Sequence, residues 1–530
     1  MKVNHLLHAY FLVNHVNSAP SDSPHDADLA QSGYVGGHHN IEPETVSRFQ
    51  HLWNITFNPD EKHYARPLVH TLLSGKQIVF TASTENIVRT IDAVTGEIIY
   101  ERQVAPPWPM AGANCELLSK NLGIMGTPVI YPEYDVAFFF VKSYIEDYRV
   151  PGGAASPLNG VYYFYAVYLE GLGDVYKYPL LIDDIPADND PLGDIIYAGF
   201  GGLCDAFNYT GTLVAININT RWINRWSTQG GPASAWTDDW TKWHGGGAGG
   251  IWQSGMGLAS DGQDVFFSVD NGGGSLDANA SSSPIPGRSH QDILSESVVR
   301  ISLNDMGVQL QDFFRPHDYQ SDAGQDIGSG GVSLLDSSVF NTSTAASIGL
   351  TTSRNSKMYV LDLGNMGGYR TGKNGTDNVL QTVYLPGEVF GGIGTYPFEG
   401  GYIYVNPSNA PLTAYHWDPS FSTLDSPAPH LSIIGKSSAS NLHRGGIPTV
   451  TSHDGKPGSG IVWVTDVEKG LFAYKASPVN GSLVNIALPK IEGAVRYGRP
   501  VFGNGKVYVV DGRGRLVALG AGGNERIAHT

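Results

Sequence analysis

At 530 residues the chain is long enough to bury a large hydrophobic core. Its 66 glycines, 16% charged residues and 11% aromatic residues suit many short strands joined by tight turns and argue against a helical fold. A formal net charge of −17 excludes the basic footprint of a nucleic-acid-binding protein and sets the surface against an anionic membrane.

The N-terminus speaks first to compartment. Lys2 precedes an apolar stretch at 6–13, and Ser18 and Ala19 stand before Pro20. This pattern predicts a signal peptide over 1–19, cleaved near Ala19, and hence a secreted, extracellular protein. A lead-in segment at 20–49 follows, with His38 and His39 among glycines. No other stretch is apolar for long enough to span a bilayer, so no transmembrane segment is expected. Asn-x-Ser/Thr acceptors at Asn54, Asn208, Asn279, Asn341, Asn374 and Asn480 agree with a secreted glycoprotein. Cys115 and Cys204 are the two cysteines, and an oxidising compartment makes one disulfide between them the expectation, with two buried thiols as the alternative.

From residue 50 to 520 the chain repeats. Strand-forming runs at 78–82, 88–92 and 98–101 are separated by turns, the second of which reads Asp-Ala-Val-Thr-Gly at 92–96. The runs 357–362, 460–465 with 470–474, and 499–519 follow the same plan. A unit of this kind cannot bury both faces of its sheet alone, so the units must stack or close. The expected fold is all-β: a single β-propeller of four-stranded blades, eight in number, with seven as the alternative because the third and sixth units are the faintest. The blades are placed near 63–102, 122–170, 190–227, 249–314, 328–385, 390–435, 442–488 and 494–520, leaving 521–530 as a tail. The last unit stops without an outer strand, and an orphan strand lies upstream at 52–57. Pairing the two removes an exposed sheet edge and closes the ring.

The Asp-x-x-Thr-Gly unit resembles the repeat of pyrroloquinoline quinone (PQQ) propellers of the quinoprotein alcohol dehydrogenase-like superfamily, and more closely an extracellular branch of it. Further blocks carry the resemblance: Tyr-Ala-Arg-Pro-Leu at 64–68, Gly-Ile-Met-Gly-Thr-Pro-Val-Ile at 123–130, Gly-Ile-Trp-Gln-Ser-Gly at 250–255, Asp-Phe-Phe-Arg-Pro at 312–316, Gly-Ser-Gly-Gly at 328–331 and Gly-Ile-Val-Trp at 460–463. Together they cover roughly residues 30 to 520. The resemblance implies a propeller and allows redox chemistry, although this fold also hosts lyases, hydrolases and assembly scaffolds. It further implies a vicinal cysteine pair against PQQ and a calcium ion held by oxygen ligands. The chain has no Cys-Cys, no haem-attachment motif, no ordered calcium run and no zinc set, so PQQ with calcium is not expected and no metal ligands are assigned.

Propeller ligands sit at the axial funnel, where the inner strands begin. A proline opens several of these strands, since it cannot donate to a ladder. The residues beside it, Arg66, Thr127, Arg444 and Arg499, with Trp252 and Gln253 at the equivalent place in the fourth unit, are the candidate ligand-binding residues. Arginines at one mouth suit a carboxylate or phosphate, while the plainer reading has each one tying blades together. His63, Tyr64, His443 and Asp205 are candidate acids or bases, each also readable as a satisfied structural residue. The aromatic run at Trp236, Trp240 and Trp243 could stack a sugar or form a packed insertion. The expected ligand is a small polar or anionic molecule or a saccharide. Three functions fit: an oxidoreductase by resemblance, a cofactor-free lyase on an acidic sugar or secondary metabolite, and a non-catalytic binding propeller.

Overall fold

The computed structural model describes residues 22, 28–37, 40–112, 119–183, 194–202, 209–230, 247–272, 286–288, 293–319, 326–420, 430–438 and 445–522. They form eight small antiparallel sheets around a common axis, an eight-bladed β-propeller. Blade one runs from the axis outward as Leu68–Thr71, Gln77–Ala82, Ile87–Asp92 and Ile98–Gln103. Blade two spans Val129–Tyr131 to Leu180–Leu181; its two-residue outer strand lies beyond the predicted boundary at 170. Three strands are described for blade three, Ile195–Phe200, Thr212–Asn217 and Ile223–Ser227. Blades four to seven occupy 259–315, 333–384, 394–436 and 449–486. No helix among the described residues is long and apolar enough to cross a membrane.

Period-two alternation explains the ring. Each sheet sends one set of side chains to the preceding blade and the other to the next. Val79 and Ile91 of blade one therefore pack with Val501 and Tyr508 of blade eight. Ile78 and Phe80, one residue out of phase with Val79, pack with Phe139 and Val141 of blade two. The same apolar layer recurs between every consecutive pair, including seven and eight, where Trp463 meets Phe502. The Asp-x-x-Thr-Gly turn has a local cause. Asp92 Oδ1 accepts the backbone N–H of Val94 (2.8 Å) and of Thr95 (2.9 Å), and Gly96 takes φ 77°. A Cβ on Gly96 would lie 2.7 Å from the Trp53 ring, so the turn also makes room for the neighbouring blade's outer strand.

That outer strand is the predicted closure. Phe49–Thr56 pairs antiparallel with Arg515–Ala521, outside Lys506–Val510 and Val501–Gly503. Phe49 is buried, and Trp53 Nε1 donates to Ala93 O of blade one (3.4 Å).

The lead-in segment does more than connect. Several inner strands are only two or three residues long, which leaves inward-facing backbone N–H groups to be satisfied. The described lead-in supplies acceptors in succession: Leu29 O to Ser260 N (2.8 Å), Ala30 O to Leu334 N (2.8 Å) and Gly33 O to Val450 N (2.7 Å). Tyr34–Val35 then adds a parallel strand to Thr449–Thr451. A Cβ on Gly33 would meet Ile393 O at 2.7 Å, so only glycine passes there. The segment thus ties blades four, five and seven.

Asp22 anchors the segment to blade one, accepting from Thr71 N and Thr71 Oγ1, both 2.8 Å, and Gln77 Nε2 at 3.0 Å. Buried His70 lies between Asp22 (3.6 Å) and Asp135 (2.7 Å). Burial alone would lower its pKa, but the hydrogen bonds and charges of the two carboxylates outweigh that and raise it. The stabilisation is therefore complete below the unfolded-state pKa of about 6.5 and is lost as pH rises through the higher folded value. Melting temperatures of wild type and His70→Gln should differ most near pH 5.5 and converge in alkali. A constant difference across that range would contradict the arrangement.

Candidate functional site

The face on which the inner strands begin also carries the turns between second and third strands, so both sets of loops can meet near the axis. On blades four to six they converge. Gly250 O accepts from Asp270 N (2.9 Å), Gln253 Oε1 accepts from Ser268 N (3.0 Å), and Gly391 N donates to Ser329 O (2.8 Å). The 253–255 turn has positive φ at all three residues, and Gly255 packs on Tyr497 of the blade-eight approach.

Inside this convergence lies a set of carboxylates. Asp270 (2% exposed) ends the second strand of blade four, Glu296 (8%) precedes its third, and Asp326 opens the approach to blade five. Asp270 is hydrogen-bonded to Asp326, a contact that favours the protonated form of the Asp270 carboxyl. Burial, then that hydrogen bond, then the charges of Asp326 and Glu296 hold Asp270 well above the usual carboxylate range. Burial is also the main cause that pushes Glu296 up to about 7, against the Ile327 N–H that donates to its Oε2 at 3.1 Å. Asp326 takes φ 45° and pairs with Arg354, a half-exposed guanidinium 5.4 Å from the Phe390 ring centroid. Phe390 in turn lies 5.5 Å from Tyr497. A carboxyl whose protonated form is favoured, a second carboxyl paired with an arginine, and aromatic rings beside it can exchange a proton with a polar molecule and hold its charge.

Glu296 yields a stability test. Its folded pKa near 7 exceeds the ordinary 4.5, so the folded state loses stability as pH rises from about 4.5 through 7 and is level above. Glu296→Gln should remove that slope, a difference of roughly 3 kcal/mol between pH 4.5 and 8. Denaturant unfolding at the two pH values measures it.

The predicted site residues are placed as follows. Arg66 and Arg499 are buried at the inner-strand starts of the adjacent blades one and eight. Arg66 N donates to Thr127 Oγ1 (3.1 Å), linking blades one and two. Trp252 is half-buried; its ring packs over Gly201 and Gly250 and lies 6.2 Å from Tyr209. The Gln253 amide is engaged internally, donating to Gly257 O (2.9 Å) and accepting from Ser268 N. His63 is buried against Phe57 at 4.3 Å, and burial lowers its pKa to about 4, so it is neutral at pH 7. Beside it, Arg89 forms a two-pronged pair with Glu61 at 2.7 and 2.9 Å, a structural tie. Tyr64 is half-buried with a raised pKa, chiefly from burial. Cys115, Cys204, Asp205, His443, Arg444, Asn208, Asn279, His38, His39 and the tryptophan run at 236–243 lie outside the described residues.

Sequence reasoning missed Asp270, Glu296, Asp326 and Arg354. A signal was present: Asp326 stands two residues before the Gly-Ser-Gly-Gly block, and Asp270 directly follows a fully buried strand.

No protein-family model matches the chain, and no curated protein matches its sequence. Solved structures do. The quinohemoprotein alcohol dehydrogenase from Comamonas testosteroni matches with a TM-score of 0.64 at 14% identity, over 96% of this chain and 82% of that one. A quinohemoprotein alcohol dehydrogenase from Pseudomonas putida HK5 gives 0.62 at 12% identity, over 96% and 82%. A europium-containing methanol dehydrogenase gives 0.59 at 14% identity, over 94% and 98%. The chain therefore has the propeller fold of the quinoprotein dehydrogenases.

The sequence departs from the setting in which PQQ and calcium are usually held. The sequence lacks the vicinal cysteine pair, and among the described residues no group of three or more His, Cys, Asp or Glu side chains could hold a metal ion.

Proposed function

We propose that this propeller is an enzyme that moves a proton on a small polar or anionic molecule bound at its axial mouth. One observation carries the reading: the buried Asp270 carboxyl stands beside Asp326, which pairs with Arg354, and Arg354 lies next to the Phe390 and Tyr497 rings. Oxidation of an alcohol-type group is the reaction class that the fold likeness supports, and it begins with removal of a hydroxyl proton. Asp326 would accept that proton, and Arg354 would hold developing negative charge. The lack of a vicinal cysteine pair in the sequence favours a second reading, a cofactor-free lyase using the same groups. The leader-like N-terminus, with acceptors Asn54, Asn374 and Asn480 exposed, supports a secreted glycoprotein.

The test is a panel of alcohols, hydroxy acids and acidic sugars, run with and without PQQ, calcium and an artificial electron acceptor. Turnover that needs the acceptor supports oxidation, and turnover without it supports the lyase. Binding with no turnover under any condition would overturn the enzyme reading and leave a binding propeller.

A further inference from the structure

One block of the sequence, Asp-Phe-Phe-Arg-Pro at 312–316, has so far found no role at the axial mouth. Arg315 ends the outer strand Gly307–Arg315 of blade four and is fully buried, at 0% exposed. Among the described residues its guanidinium engages neutral groups only. Nε donates to Ser295 O (3.0 Å), Nη2 donates to Ile293 O (2.5 Å), and Nη1 is buried without an acceptor. The Tyr319 and Tyr369 ring centroids lie 5.2 and 5.8 Å from Cζ. A buried cation with no anion paired to it is destabilising, and an apolar side chain of similar size would fill the space without that cost. Packing alone therefore does not account for an arginine here.

The two carbonyls belong to the returning limb of the connection between the second and third strands of blade four. Leu294, between them, donates its N–H to Thr228 O of blade three (3.1 Å). The limb ends in Glu296, and Glu296 joins the other two carboxyl residues. Its N–H donates to Asp270 O (3.2 Å), and its Oε2 accepts from the N–H of Ile327, the residue after Asp326 (3.1 Å). Arg315 thus grips, on both sides of Leu294, the limb that sets the spacing of the mouth.

We propose that Arg315 is a positioning residue of the axial mouth, holding the limb that places Glu296 between Asp270 and Asp326 and lending the site a buried positive charge. The inference rests on the reading of these carboxyl groups as the reacting ones. Arg315 acts through the peptide groups of 293–296 and through its field. Asp326 opposes ionisation of Glu296, Arg315 favours it, and an ionised Glu296 in turn holds Asp270 in its protonated form.

The experiment needs no substrate. In full-length Arg315→Met and Arg315→Lys, the Glu296 midpoint is read from the infrared carboxyl component that is lost in Glu296→Gln. Amide exchange at Leu294 and Glu296 is followed by mass spectrometry. Arg315→Met removes the charge and both donors. The Glu296 midpoint should rise by about half a pH unit or more, and exchange at the two amides should quicken about tenfold. Arg315→Lys loses the fork but keeps a cation, because the burial that brings the guanidinium down to about 10 would leave a lysine mostly protonated at pH 7. It should hold the midpoint near the wild-type value while exchange still quickens, a split that loss of packing alone would not produce. Where wild type turns over a substrate, kcat should fall in both variants, with the pH profile displaced upward only in Arg315→Met. A wild type that turns over nothing fails the proposed function and leaves the two physical readouts to decide Arg315. If Arg315→Met does not fold, exchange in Arg315→Lys decides. An Arg315→Met variant with the wild-type Glu296 midpoint, or wild-type exchange at Leu294 and Glu296 in Arg315→Lys, would overturn the proposal.

Discussion

Removal of residues 49–56 is expected to leave no soluble, cooperatively folded protein. The strand they form is the fourth of blade eight, and its ladder with Arg515–Ala521 runs the length of that strand. Without it, one sheet edge of the ring lies open and hydrophobic. Phe49 is buried in the layer shared with blade seven, and Leu52, Trp53 and Ile55 are half-buried in the layer shared with blade one. Losing these four side chains alone forfeits on the order of 5 kcal/mol of burial. A whole domain is typically stable by about 5–15 kcal/mol, so the deletion removes a large share of the total. The unpaired edge then offers a template for association between chains. The truncated chain should appear in the aggregated fraction on expression. A soluble monomer with a wild-type melting temperature would show that the ring is held closed elsewhere.

Asp326→Asn should lower kcat/KM by roughly 10²–10⁴-fold, the range for loss of a positioned acid–base group. The change is nearly isosteric, and asparagine tolerates the left-handed φ of 45° that Asp326 adopts, so the fold should survive. It also removes the neighbouring charge that opposes ionisation of Asp270. In the variant, Asp270 should titrate at lower pH than in wild type while turnover disappears. Full activity in Asp326→Asn, measured on any substrate the wild type turns over, would remove the carboxylate pair from the mechanism.

Much of the fold could be read from the chain because propeller blades advertise themselves. Alternating apolar runs, the Asp92-type turn and the orphan strand near Trp53 each have a local physical cause, and each appears in the structure. The lead-in was different. Its work is done by the backbone carbonyls of Leu29, Ala30 and Gly33, which leave no side-chain pattern to find. The outer strand Leu180–Leu181 is two residues long, below the length at which alternation can be seen. The site was harder still. Asp270, Glu296 and Asp326 are far apart in sequence and meet only because the two ends of one blade-four connection converge with the approach to blade five. Attention to prolines at inner-strand starts led instead to Arg66 and Arg499, which are buried at the junction of blades one and eight. The His63 imidazole, a candidate acid by its position, is held neutral by burial.

The central claim is that burial and the neighbouring Asp326 hold the Asp270 carboxyl well above the usual carboxylate range, and that this carboxyl answers to a bound molecule. Infrared spectroscopy of the protein at pH 7 and above reads this directly through the carboxylic-acid C=O stretch. The account predicts a band in wild type that persists above the usual carboxylate range, shifts in D2O, loses the Asp270 component in Asp270→Asn while the Glu296 component stays, and moves when a polar ligand binds. A spectrum with no protonated-carboxyl band at pH 7, or a band indifferent both to Asp270→Asn and to ligand, would contradict it.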